Sequence, residues 1–273
     1  MRQCVSFLIV AVVLVLTVGA AWAADQVIDV PTRPGVTERF ILIAPDDPLA
    51  TVVLFAGDDG GLQIAPDGKL GNGSLASNFL VRSRRLFADQ RLMVAVVDAP
   101  SDRQSLAATM REASRGSFGF RQTSAHVADI KAVIAWLRQK ANVPVWLVGT
   151  SRGTQSAAYI ATQLAPRDGG PDGLVLTATI LWAPSGRPVP DMELSKLEIP
   201  MLVVHHRDDG CRLCLYRDVP SLMEKLPAGQ RKELLTVEGG WSQGNPCEAF
   251  AYHGFNGRES EVVAKIAAWI TAK

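Results

Sequence analysis

Trp146-Leu147-Val148-Gly149-Thr150-Ser151-Arg152-Gly153-Thr154-Gln155 is the stretch that decides the fold. Upstream, Val143 to Val148 is a short apolar run with β-branched and aromatic residues, which predicts a strand buried on both faces. Downstream, Gln155 to Ala165 is small and helix-tolerant and is halted by Pro166, which predicts a helix. Between them, Gly149-x-Ser151-x-Gly153 forms a strand-to-helix corner whose two glycines let the elements approach closely and hold the serine in a strained conformation. A serine hydroxyl is a poor nucleophile in water, so it needs a base within hydrogen-bond reach and donors waiting for the oxyanion it creates. The plainer alternative is a glycine turn with an incidental serine, and the strand and helix flanking it weigh against that.

With 273 residues and 48% hydrophobic side chains, the chain can bury one large core, so residues 24–273 are expected to form a single domain. Lys+Arg of 28 against Asp+Glu of 27 leaves a formal charge of +1, with no basic block or interleaved aromatic stripe, and this argues against a nucleic-acid partner. Residues 1–23 read as an export signal: Arg2 supplies the positive end, Val5 to Val18 is almost wholly apolar, and Ala21-Trp22-Ala23 offers a cleavage site. Cleavage after Ala23 predicts a periplasmic or secreted protein with no membrane attachment. An uncleaved anchor helix is the alternative, disfavoured by the short apolar run. Three cysteines then remain, Cys211, Cys214 and Cys247, and in an oxidising compartment an odd count leaves at least one unpaired.

Further along, residues 39–43 and 51–55 read as neighbouring strands separated by a turn cluster. The second empties into Ala56-Gly57-Asp58-Asp59-Gly60-Gly61, whose glycines permit main-chain N–H groups to converge on a point. A cation site built from Asp58 and Asp59 is a weaker reading, because two adjacent carboxylates make a poor ligand set. Residues 76–90 have helical periodicity with Arg82, Arg84 and Arg85 on a solvated face. Residues 91–97 form a strand, and an irregular stretch to Gly119 is long enough to shape a substrate wall. A helix is predicted over 124–140, with His126 and Asp129 as a surface pair. Residues 174–182 are expected to be a strand, and the short span 183–197 leaves no room for an inserted lid. The last strands fall at 199–205 and 233–237, followed by a Gly-rich loop, 238–257, and a closing helix, 258–272. Trp182 and Trp241 are candidate pocket residues, although buried tryptophans are more often core.

Strands alternating with helices, and a serine corner followed by an acid and then a histidine, give the chain a resemblance to the α/β-hydrolases over nearly all of residues 37–272. It is most similar to small exported bacterial members in which a His-His-x-x-Asp-x-Cys segment precedes a His-Gly-Phe segment. Here these are His205-His206-Arg207-Asp208-Asp209-Gly210-Cys211 and His253-Gly254-Phe255. The resemblance implies an α/β fold with a mostly parallel, doubly wound sheet flanked by helices. It implies Ser151 as nucleophile, His253 as base, and an oxyanion hole from the N–H of Arg152 together with that of Gly57 or Asp58. For the acid, the family spacing from the histidine that ends the strand selects Asp209, with Asp208 still open.

If that triad assembles, Cys211 and Cys247 lie on neighbouring loops, so the resemblance further implies a Cys211–Cys247 disulfide with Cys214 left over. Two alternatives are a Cys211/Cys214 redox pair and a zinc site from His205, His206, Cys211 and Cys214. The first has the wrong setting and the second lacks regular spacing. The activity implied is hydrolysis of a small, soluble carboxylic ester through a Ser151 acyl-enzyme, with no cofactor or metal. An exopeptidase or amidase on the same triad, and a non-catalytic binding protein, are the competing functions.

Overall fold

The computed structural model describes residues 25–104, 119–184 and 186–272, so the export signal read at 1–23 and most of the irregular stretch before Gly119 lie outside the described residues. Eight strands form one sheet: β1 Gln26–Arg33, β2 Val36–Ile43, β3 Ala50–Phe55, β4 Leu92–Val97, β5 Val145–Thr150, β6 Gly173–Thr177, β7 Met201–His206 and β8 Lys232–Val237. Their order across the sheet is β1-β2-β4-β3-β5-β6-β7-β8. Strand β2 runs antiparallel to both of its neighbours, and all pairings from β4 through β8 are parallel.

Among the described residues seven α-helices accompany the sheet: α1 Gly73–Ala76, α2 Phe79–Arg82, α3 Arg84–Asp89, α4 Ser124–Lys140, α5 Gly153–Gln163, α6 Val219–Lys225 and α7 Glu259–Thr271. The two-residue period of the strands divides their side chains between two cores. Val53, Phe55 and Leu147 pack with Ile130, Ile134, Ala157 and Leu222 from α4, α5 and α6. Val52, Leu54 and Val148 pack on the other face with Phe79, Phe87, Val262 and Ile266 from α2, α3 and α7. The sheet is therefore doubly wound, and β5, which carries Ser151 at its carboxyl end, sits in its middle.

Several expectations are corrected. The single helix over 76–90 is three short ones, because Asn78 breaks the run by accepting a hydrogen bond from the Leu80 N–H and restarting the chain as an N-cap. Nor do its arginines make a solvated face. Arg82 donates to Glu259 and to the Gly254 carbonyl at 2.8 and 2.7 Å, while Arg84 and Arg85 pair with Asp25. Strand β6 stops at Thr177 instead of running to 182, because Ala178 adopts φ 43° and leaves the extended region. Strand β1 was not read from the sequence: Pro31 and Asp29 mask it, and an edge position tolerates both. Residues 183–197 carry two short 3-10 turns that bury Val189 and Leu194, so no lid is present there.

His126 and Asp129 are not a surface pair either, since both are fully buried and Asp129 binds the Arg33 guanidinium at 2.8 and 3.0 Å. The His126 ring lies against Phe55 and Phe120, and burial followed by the charge of Arg121 pushes its pKa down to about 3. Burial likewise pushes His205 down to about 4. Both imidazoles stay neutral in the fold but protonate in the unfolded chain. Their contribution is full above about pH 6.5, and each is expected to remove roughly 1.4 kcal/mol of stability per pH unit as the pH falls below it. Buried Glu38, whose carboxyl burial pushes well up, acts in the opposite sense as pH rises above its unfolded value. Comparing urea unfolding of wild type and His126→Phe at pH 7 and pH 5 isolates one histidine. The variant is expected to lose less stability between the two, and an identical pH dependence would refute the assignment.

Candidate active site

The corner after β5 is shaped by what its residues leave out. A Cβ on Gly149 would overlap the Gly153 carbonyl, and one on Gly153 would overlap the carbonyl of Phe55, so both glycines are required for the close strand-to-helix approach. Between them Ser151 is held at φ 52°, a left-handed conformation that costs a serine about 1–3 kcal/mol. Surrounding bonds fix it there. Its N–H donates to the Thr177 carbonyl at 3.1 Å, and its own carbonyl accepts from the N–H of Thr154 at 2.9 Å and from that residue's hydroxyl at 2.5 Å.

His253 stands on a 3-10 turn, Tyr252–Gly254, beyond β8. Its Nδ1 is 2.8 Å from Asp209 Oδ2, with both side chains buried, and Asp209 Oδ1 accepts from the Cys211 N–H at 2.9 Å. Asp208, one residue earlier, is exposed, and Asp209 is the one of the two acids that contacts His253. His253 Nε2 is buried with no hydrogen-bond partner among the described residues. His206 supports this loop, donating through Nε2 to the Gly239 carbonyl (2.8 Å) and stacking on Tyr252 at a centroid distance of 4.4 Å.

Cys211 and Cys247 form a disulfide across 36 residues of sequence, with Cα atoms 4.5 Å apart, which joins the loop of Asp209 to the loop of His253. Cys214 is a free, buried thiol, and burial pushes its pKa well up. Cys211, Cys214 and His253 bring possible metal-ligating atoms within 4.8 Å of one another, but the Cys211 sulfur is committed to the disulfide, so the trio is not a ligand set in this state. Loop closure over this span predicts that Cys247→Ser loses about 3–4 kcal/mol. Guanidinium titration of the two proteins checks it, and a loss under about 1 kcal/mol would mean that the hydrogen bonds of the loops suffice.

A cleft of about 510 Å³ collects these groups: Ser151, Arg152, His253, Gly57 and Asp58 all line it. A Cβ on Gly57 would sit 3.1 Å from that of Ser151, which puts the loop after β3 directly beside the serine. Trp182 and Trp241 are about half exposed, and neither lines the cleft. Asn78, Leu213 and Phe250 do, none of them singled out by the sequence. The main-chain carbonyls of the loop after β3 face away from the cleft, toward a buried side chain. That side chain is Arg121, donating through Nη2 to the carbonyls of Ala56, Gly57 and Asp58 at 3.0, 3.2 and 3.2 Å, and through Nη1 to Ser156 Oγ at 2.9 Å.

A mostly parallel eight-stranded sheet, doubly wound, with a strained serine at the end of its central strand is the α/β-hydrolase fold. No family model and no curated protein matches the sequence. Solved structures do match in shape. Dienelactone hydrolase from Anabaena variabilis superposes with a TM-score of 0.64 at 14% identity, over 92% of this chain and 98% of that one. An α/β serine hydrolase homologue from Coxiella burnetii gives 0.59 at 16% identity, over 91% and 97%. A Xanthomonas campestris protein described as an α/β serine hydrolase without lid gives 0.52 at 17% identity, over 90% and 95%. At these identities the likeness is one of fold.

Proposed function

We propose that the chain is a serine hydrolase, and specifically a carboxylic-ester hydrolase working through a Ser151 acyl-enzyme. The observation that carries this is the buried 2.8 Å contact between His253 Nδ1 and Asp209 Oδ2, on a histidine whose other ring nitrogen is unpartnered and which shares a cleft with Ser151. In this reading His253 Nε2 takes the Ser151 proton as the hydroxyl attacks the ester carbonyl. Asp209 keeps Nδ1 protonated and stabilises the imidazolium. The oxyanion receives the N–H of Arg152 and of Gly57 or Asp58. His253 then returns the proton to the departing alcohol, and water, activated by the same imidazole, releases the acid.

Ester cleavage is favoured by the neighbours described as esterases, among them a cold-adapted enzyme from an Arctic intertidal metagenomic library. A cleft with no lid among the described residues suits a soluble ester of small or medium acyl length over an oil surface, and the chemistry asks for no cofactor. Export of the chain after cleavage at residue 23 fits a disulfide at the heart of the site. The test is hydrolysis of p-nitrophenyl esters of increasing acyl length by residues 24–273, purified oxidised, together with fluorophosphonate labelling. Turnover with label on Ser151 is expected. A folded, disulfide-intact protein that neither turns over nor takes the label sinks the reading.

A further inference from the structure

The sequence gives no pattern around Arg121, yet its guanidinium is a charge buried beside the candidate active site. Its side chain is buried, no carboxylate hydrogen-bonds to it among the described residues, and burial pushes its pKa down to about 10, so the guanidinium is still a cation at neutral pH. The carboxylates of Asp58 and Asp59 act on it through space, and Arg152 opposes its charge. A cation buried on such terms costs stability. Packing alone would be served better by an apolar residue.

What the guanidinium touches suggests the compensation. A trans peptide is planar, and its C=O and N–H point in opposite directions. The carbonyls of Ala56, Gly57 and Asp58 all face Arg121 Nη2, so the N–H groups at the other ends of those peptides, on Gly57, Asp58 and Asp59, are aimed away from it. Asp58 is in the left-handed region at φ 44°, which lets successive carbonyls converge on one point. Gly57, at one end of this arrangement, abuts Ser151. The second arm of the guanidinium holds Ser156 on α5, the helix that begins at the serine corner. Asp98 fixes the far side of the same loop by accepting from the N–H groups of Leu62, Gln63 and Ile64 at 2.7 to 3.1 Å.

We propose that Arg121 is a positioning residue for the oxyanion hole: it locks the loop after β3 against the serine helix and polarises the peptides whose N–H groups receive the developing negative charge. This rests on the hydrolase reading of Ser151. A hydrogen bond from a full cation to a carbonyl increases the positive character of the N–H across the same peptide, and a fixed cation behind those donors lowers the energy of an oxyanion in front of them. The effect exists only when charge appears on the substrate oxygen. Substrate binding in the ground state gains little from it.

The experiment compares wild type, Arg121→Gln and Gly60→Ala on p-nitrophenyl acetate, with inhibition by an aryl trifluoromethyl ketone, whose adduct with a serine carries an oxyanion. Gly60→Ala is informative because its Cβ would collide with Arg121 Nη2, displacing the guanidinium while leaving its charge in the protein. For Arg121→Gln the expectation is a kcat lower by about 100-fold, a KM within about 2-fold, and ketone affinity weakened by about the same factor as kcat. Gly60→Ala is expected to lose about 10-fold in kcat with the same split. A kcat near wild type in either folded variant, or a loss confined to KM, overturns the inference. If Arg121→Gln does not fold, Gly60→Ala decides alone. Wild-type protein that neither turns over nor labels overturns the hydrolase reading and this inference with it, whereas active wild type with unaffected variants overturns the inference only.

Discussion

Ser151→Ala is expected to lower kcat for ester hydrolysis by about 10⁶-fold and to abolish fluorophosphonate labelling, while the melting temperature holds or rises. The size follows from covalent catalysis: without the hydroxyl no acyl-enzyme forms, and His253 and the oxyanion donors can only assist a water that the site was not built to place. The stability side follows from strain, because the left-handed corner at φ 52° is retained and a smaller side chain there relieves crowding. Active-site titration of the preparation is essential, since a trace of wild type at one part in 10⁴ would mask a loss of this size. Turnover within about 100-fold of wild type would remove Ser151 as nucleophile.

Asp209→Asn is expected to cost about 10⁴-fold in kcat, with Asp208→Asn within about 2-fold of wild type. The amide preserves shape and leaves the 2.8 Å contact possible, but it can donate to Nδ1 and so stabilise the tautomer in which Nε2 carries the proton and cannot accept one from Ser151. It also removes the charge that stabilises the imidazolium. Asp208 is exposed, and only its main-chain N–H contributes, donating to His206 Nδ1 at 3.0 Å, which an amide side chain leaves untouched. The reverse outcome, a collapse in Asp208→Asn alone, would reassign the acid.

Much of this architecture was legible in the sequence because its parallel strands are buried on both faces and so are written as continuous apolar runs, as in Met201 to Val204. The serine corner was legible because steric necessity places glycine at 149 and 153. Strand β1 was not, since an edge strand facing solvent needs no such run. The break at Asn78 was hidden because apolar spacing continues across it, and only the cap bond reveals the restart. The family spacing selected Asp209 but left Asp208 open, as neighbouring residues in a turn differ only in which one faces inward. His126 looked like half of a surface pair, while its true neighbours, Phe55 and Phe120, are joined to it by the fold alone. Arg121 lies in the same blind spot. Its partners are three carbonyls, of which every residue has one, and a serine hydroxyl far away in the sequence.

The bridge between Cys211 and Cys247 makes the finished site a product of chemistry that happens after translation. Where thiols are kept reduced, the same polypeptide would carry its acid and its histidine on two loops tied by hydrogen bonds alone. The covalent tie is added only where an oxidant is present. In the exported hydrolase proposed above, ripening of the site is thereby linked to geography, with full rigidity reached at the destination and not at the birthplace.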